Sequence, residues 1–70
     1  MMLKYDIGDV IEIKHKNSEA VACLVLDIKK QHHFYEVNLL GRGKKFTIVD
    51  DGNFYTVKVL VNKDEKRITR

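Results

Sequence analysis

The segment that decides the fold is residues 20–29, which reads AVACLVLDIK. Positions three and four apart, from Val21 to Ile28, form the apolar stripe of a helix, and Asn17 or Ser18 is a suitable N-terminal cap. Every second residue from Ala20 to Ile28 is also apolar, as in a strand, and seven apolar residues in succession are typical of a strand buried on both faces. The segment alone is therefore compatible with both structures.

Four further segments have strand patterns, and these favour a strand for residues 20–29 because each strand needs a neighbour for its backbone hydrogen bonds. They are residues 10–15, 34–40, 46–49 and 55–61, which are separated by short polar turns. The chain contains no proline that would interrupt a ladder. We predict an all-β fold, a five-stranded small barrel, with an α+β structure as the alternative if residues 19–30 are helical.

The length of 70 residues is that of one small domain. We predict a single domain over 1–70, whose charged tail at 63–70 either adds a short closing strand or frays. No apolar run approaches the length of about 20 residues that spans a bilayer, and the N-terminus is too polar for a signal peptide. We therefore expect a cytoplasmic protein without membrane contact. Cys23, the single cysteine, is expected to be a buried apolar residue.

The arrangement of charges says more about partners than the net charge of +3, which permits a nucleic-acid partner without requiring one. In a five-stranded meander, turns one and three and the C-terminal tail share one end of the sheet. That end would collect Lys14, His15, Lys16, Arg42, Lys44, Lys45, Lys66, Arg67 and Arg70. At the other end, the charges of Lys29, Lys30, Asp50 and Asp51 would partly cancel. This basic end suits phosphate contacts, although lysine-rich turns also serve solubility alone.

Two adjacent aromatic pairs, Phe34-Tyr35 and Phe54-Tyr55, are candidate contact residues. If both members of a pair lie in a strand, one ring points away from the core. An outward ring beside Lys or Arg stacks on bases in single-stranded nucleic-acid binders, or anchors a protein interface. We assign the stacking role to Tyr35 and Tyr55, with inward packing of the rings as the alternative.

The sequence has no pattern that indicates an enzyme, a metal site or a cofactor. Ser18 is the only serine and has no base patterned around it. The paired acids Asp6 and Asp9 lie where acids make local hydrogen bonds. His32 and His33 are adjacent, so in a strand their side chains would not converge on a metal.

Three short motifs resemble SH3-like small barrels of the KOW and Tudor-like types, which occur in ribosomal, transcriptional and phage-encoded proteins. They are YDIGDV at 5–10, VLDI at 25–28 and YEV at 35–37. The resemblance implies an SH3-like barrel, and Sm-like and OB-type barrels have similar patterns. The chain has no tryptophan and no groove pattern for proline-rich peptides, so we do not expect that mode of binding.

We therefore expect a non-enzymatic binding module and consider two classes of partner. The first is nucleic acid, with phosphates on Lys14, Lys16, Arg42, Lys44, Lys45 and Arg67 and bases on Tyr35 or Tyr55. The second is a protein, with the chain acting as an adaptor, a complex subunit or a phage-type inhibitor of a host protein. For the chain itself we expect a monomer or a weak homodimer formed through edge strands.

Overall fold

Five strands form a single sheet in the computed structural model, which describes residues 3–63. They are β1 (Val10–His15), β2 (Val21–Lys30), β3 (Tyr35–Gly41), β4 (Lys44–Asp50) and β5 (Tyr55–Val61). The predicted bounds of β1 and β5 are confirmed, and β4 is three residues longer than the predicted 46–49. The all-β prediction is confirmed, and the helical alternative for residues 19–30 is wrong.

The strand β2 buries one set of alternate residues in its first half, rather than both faces equally. Val21, Cys23 and Val25 face the core, whereas Ala22 is exposed. A bulge between Val25 and Asp27 then shifts the register against β3, so that Ile28 packs against the core. Such a bulge bends the strand. One long strand thereby pairs with β1 through its first half and with β3 along most of its length.

Every pair of neighbouring strands is antiparallel, in the order β4-β3-β2-β1-β5. The sheet that residues 3–63 form has β4 and β5 at its edges, so it is open and is not closed as a barrel. The N-terminal segment lies in the space between these edges. Tyr5 donates a hydrogen bond to Asp50 at the end of β4, and Leu3 and Tyr5 line a cleft with Tyr55 and Val57 of β5.

One hydrophobic core lies on the concave side of the bent sheet. Its buried members are Tyr5, Ile11, Ile13, Cys23, Val25, Val37, Leu39 and Ile48, and half-buried residues of β5 pack against them. The predicted burial of Cys23 is confirmed, since the side chain is buried in this cluster. Burial raises the pKa of its thiol, although the charge of Arg42 acts in the opposite direction. The thiol is therefore protonated near neutral pH.

The Gly8-Asp9 pair fastens the start of β1 to two other strands. The Gly8 amide donates to the Val25 carbonyl, and the Val25 amide donates to the Asp9 carbonyl, each at 2.9 Å. The buried Asp9 carboxylate accepts hydrogen bonds from the backbone amides of Asp6 and Lys63, at 2.9 and 3.0 Å. Asp9 therefore holds the entry to β1 beside the bulge of β2 and the exit from β5.

Candidate functional site

Turns one and three lie together, as the sequence predicts. The guanidinium of Arg42 in turn three is 3.5 Å from the carboxylate of Glu19 in turn one, and both side chains are exposed. Turn three is a two-residue hairpin in which Arg42 and Gly43 both have positive φ angles, of 52° and 75°. Gly41 does not belong to this tight turn. A Cβ atom at Gly41 would lie 2.8 Å from the sulfur of Cys23, so glycine there allows close packing.

Turn four also lies at this end, whereas a simple meander predicts it at the opposite end. β5 pairs with β1 rather than with β4, and its first residue, Tyr55, is opposite His15 at the end of β1. The last residue of β5, Val61, is opposite Val10, so the chain leaves the sheet at the other end of β1 from turn one. The described start of the tail, up to Lys63, therefore does not lie beside turn one, and the prediction is wrong for that part. Arg67, like Lys66 and Arg70, lies outside the described residues.

The three turns create what we call the basic-aromatic end, which consists of Lys14, His15, Lys16, Arg42, Lys44 and Phe54. Its lysines, Arg42 and Phe54 are all exposed. Turn one connects the two halves of this surface, because His15 contacts Phe54 and Glu19 contacts Arg42. Four of the predicted phosphate ligands are therefore brought to one end of the molecule. Lys45 is exposed on the outer face of β4 and lines a shallow depression with Asn38 and Thr47.

The exposed aromatic residue at this end is Phe54, not the predicted Tyr55. Tyr35 and Tyr55 are half-buried and pack against the core, whereas Phe54 is 52% exposed. The ring of Phe54 lies 4.1 Å from that of His15, with a tilt of 34°, and 5.0 Å from Tyr55, edge to face. The alternation of Tyr55 with Val57 and Val59 was the signal that could have identified Phe54 as the outward member of its pair.

Two carboxylates determine the shape of turn four. Asp50 is buried and accepts hydrogen bonds from the Tyr5 hydroxyl at 2.6 Å and the Gly52 amide at 3.0 Å. Asp51 is exposed and accepts hydrogen bonds from the amides of Asn53 and Phe54, at 2.9 and 3.2 Å. Those two amides lower the pKa of Asp51, so it stays ionised near neutral pH. Asp51 therefore fixes the backbone that presents Phe54.

A cleft of about 220 Å³ opens beside the aromatic rings, between the edges of the sheet. Its lining comprises Leu3, Lys4, Tyr5, Asp50, Gly52, Tyr55 and Val57. Burial and the neighbouring Asp50 carboxylate raise the pKa of the Tyr5 hydroxyl well above its usual range, so this hydroxyl remains a donor. Since Tyr55 both lines the cleft and contacts the ring of Phe54, the cleft and the basic-aromatic end adjoin each other.

The Tyr5 to Asp50 hydrogen bond is expected to contribute measurably to stability. Tyr5→Phe removes a side-chain donor from the buried Asp50 carboxylate. We expect the free energy of unfolding to fall by about 1.5–3 kcal/mol, because hydrogen bonds to charged groups contribute that much. Urea unfolding followed by circular dichroism measures the loss. Tyr55→Phe, which removes a hydroxyl from a half-buried ring, is the control, and equal losses in both variants would contradict this role of Tyr5.

The histidine pair in turn two differs from its predicted geometry. The rings of His32 and His33 contact each other, with centroids 4.7 Å apart, because the two residues lie in a bend rather than a strand. Within residues 3–63, no three His, Cys, Asp or Glu side chains are grouped so that they could hold a metal ion. Nor does any helix in that part of the chain have the length and apolar character needed to cross a membrane.

The described fold and surface define a small, open, antiparallel β-sheet protein with a basic and aromatic end. No family model matches the chain, and the comparisons with curated proteins and with solved structures also find no match.

Proposed function

We propose that this chain is an SH3-like binding module that binds nucleic acid through its basic-aromatic end. The single observation that carries the proposal is the contact of exposed Phe54 with His15, between the exposed lysines 14 and 16. A ring beside several cations can stack on a base while the cations contact phosphates. The strand order and the bend in β2 support the SH3-like assignment.

The electrostatics of this end support an anionic partner. Its four cationic side chains at neutral pH are Lys14, Lys16, Arg42 and Lys44, and all of them are exposed. Two exposed carboxylates lie at these turns, Glu19 beside Arg42 and Asp51, which keeps its charge while it accepts two amide hydrogen bonds, so the four cations outnumber them. The ion pair of Arg42 with Glu19 is exposed at both partners, so it is weak and a phosphate can compete for the guanidinium.

Charge reversal tests this proposal. We expect Lys14→Glu/Lys16→Glu to weaken binding of a labelled oligonucleotide of about 12 nucleotides by about 10-fold or more at low salt. The negative slope of log affinity against log salt should also become shallower by about 1.4 for a single strand, because two phosphate contacts are lost. Fluorescence anisotropy at several salt concentrations between roughly 50 and 200 mM gives both quantities.

The matched control is Lys29→Glu/Lys30→Glu, which makes the same change of net charge at the far end of β2. Lys29 and Lys30 are exposed there, beside turn two. Equal losses from the two double variants would show that only net charge matters, and the basic-aromatic end would then have no special role. Absence of binding by the unmodified protein at low salt would refute the proposal outright.

A protein partner is the second candidate function, and the open edges of the sheet favour it. Val49 on β4 is 50% exposed and Leu60 on β5 is 44% exposed, and unpaired edge strands are ready templates for another chain. Such an apolar interface would scarcely respond to reversal of Lys14 and Lys16 or to salt. The anisotropy experiment with the charge variants therefore separates the two candidates.

A further inference from the structure

Phe54 forms a preorganised platform at the basic-aromatic end. Its ring contacts His15 and Tyr55, and its backbone amide is held by the Asp51 carboxylate. Half of the side chain nevertheless remains exposed. An exposed ring whose position is already fixed loses little conformational freedom when a flat partner stacks on it, which favours binding.

The face of a base is accessible to this platform only if the base is unpaired or unstacked. In a duplex, both faces of each base are covered by neighbours, and turning a base out costs a few kcal/mol. Proteins that read an intact duplex place a helix or a two-stranded ribbon in a groove. The ribbon of β3 and β4 ends at this surface with Arg42 and Gly43 at its tip and exposed Lys44 beside them. These cations suit phosphates of either ligand, so the exposed ring of Phe54 is the feature that favours an unpaired base.

The cleft beside the platform offers a place for a second base. Its volume of about 220 Å³ is below the range of about 300–1,000 Å³ for drug-sized ligands. Tyr55 forms one wall of it, and Lys4 and Gly52 also line it. A base that follows the one on Phe54 is therefore directed towards an aromatic side chain and a cation.

From this geometry we infer that the basic-aromatic end binds single-stranded nucleic acid. One unpaired base stacks on Phe54, the next base enters the cleft against Tyr55, and Lys14 and Lys16 contact the connecting phosphates. This inference rests on the proposed nucleic-acid function and narrows the ligand to unpaired strands.

The test compares a single strand with the duplex formed from it and its complement, by anisotropy at low salt. We expect the single strand to bind more tightly. Phe54→Ala should weaken single-strand binding by roughly 5- to 150-fold, the range measured for loss of base stacking, and leave duplex binding unchanged. Phe34→Ala is the control, because it truncates an aromatic residue at the other end of the molecule, beside turn two.

Phe54→Trp gives an independent readout, since the chain contains no other tryptophan. The variant keeps a stacking surface, so it should retain single-strand affinity, and its fluorescence should be quenched when a base stacks on the indole. Backbone amide signals of Leu3 and Gly52, which line the cleft, should shift with the single strand.

The outcomes separate this inference from the function on which it rests. Equal affinity for duplex and single strand, or full single-strand affinity in Phe54→Ala, would overturn the inference, while loss of binding in Lys14→Glu/Lys16→Glu would still uphold the proposed function. Failure of the unmodified protein to bind either ligand would overturn both. If the amide signals of Leu3 and Gly52 did not shift, the inference that a second base binds in the cleft would be wrong.

Discussion

Leu39→Ala is expected to lower the free energy of unfolding by about 2–5 kcal/mol, the range for truncation of a fully buried leucine. Leu39 has no exposed surface, and it lies between Val25 on β2 and Phe46 on β4. The shortened side chain leaves a cavity at the centre of the sheet, where neighbouring strands hold the backbone in place. A domain of 70 residues has a total stability of about 3.5–10 kcal/mol, so the loss is a large fraction of it.

Urea unfolding followed by circular dichroism measures this effect, and the adjacent residue provides a matched control. Leu40 faces the outer side of the sheet and is half-buried. Leu40→Ala removes the same atoms without creating an enclosed cavity, so we expect a loss below about 1.5 kcal/mol. A larger loss for Leu40→Ala than for Leu39→Ala would contradict the structure, because the core would then pack against the face of β3 that carries Leu40.

Asp9→Ala is expected to lower the free energy of unfolding by about 3–6 kcal/mol, because two hydrogen bonds to a charged acceptor are lost and each contributes about 1.5–3 kcal/mol. Asp9 is 2% exposed, and its carboxylate accepts hydrogen bonds from the backbone amides of Asp6 and of Lys63, which is 54 residues further along the chain. Without this carboxylate, the backbone after the end of β5 is no longer hydrogen-bonded to the residue before β1. Amide hydrogen exchange at Lys63 should accelerate more than exchange at the centre of β3.

Asp6→Ala is the control for that experiment. Asp6 is exposed, and its carboxylate accepts a local hydrogen bond from the adjacent Ile7 amide and lies 4.0 Å from the Lys63 ammonium. An exposed ion pair of this kind contributes about 0.2–1 kcal/mol. If Asp6→Ala and Asp9→Ala destabilised the protein equally, the buried carboxylate would not be the group that joins the two strands.

The strands could be predicted from the sequence because their signals are local. Alternation and β-branched residues identified all five, and the need for pairing partners correctly favoured a strand for residues 20–29. The buried side of β2 could not be predicted, because it depends on hydrogen bonds between distant residues. Val25 exchanges backbone hydrogen bonds with Gly8 and Asp9 at the bulge, and no pattern within β2 indicates that contact.

The candidate site could be predicted only in part, because it too depends on pairing between distant segments. Proximity of turns one and three follows from successive hairpins, and the contact of Arg42 with Glu19 confirms it. Turn four joined them because β5 pairs with β1, a long-range choice that sequence periodicity does not encode. This pairing brings Phe54 to His15 and makes Phe54, rather than Tyr35 or Tyr55, the exposed ring. The binding roles of all the predicted site residues remain predictions.

The most direct test of the central claim is a backbone amide NMR titration of the unmodified protein with a short single strand, at low and near-physiological salt. We predict salt-sensitive shifts at Lys14, Lys16, Arg42, Lys44 and Phe54. Shifts confined to the opposite end, at Lys29, Lys30, His32 and His33, or no shifts at low salt, would contradict the account.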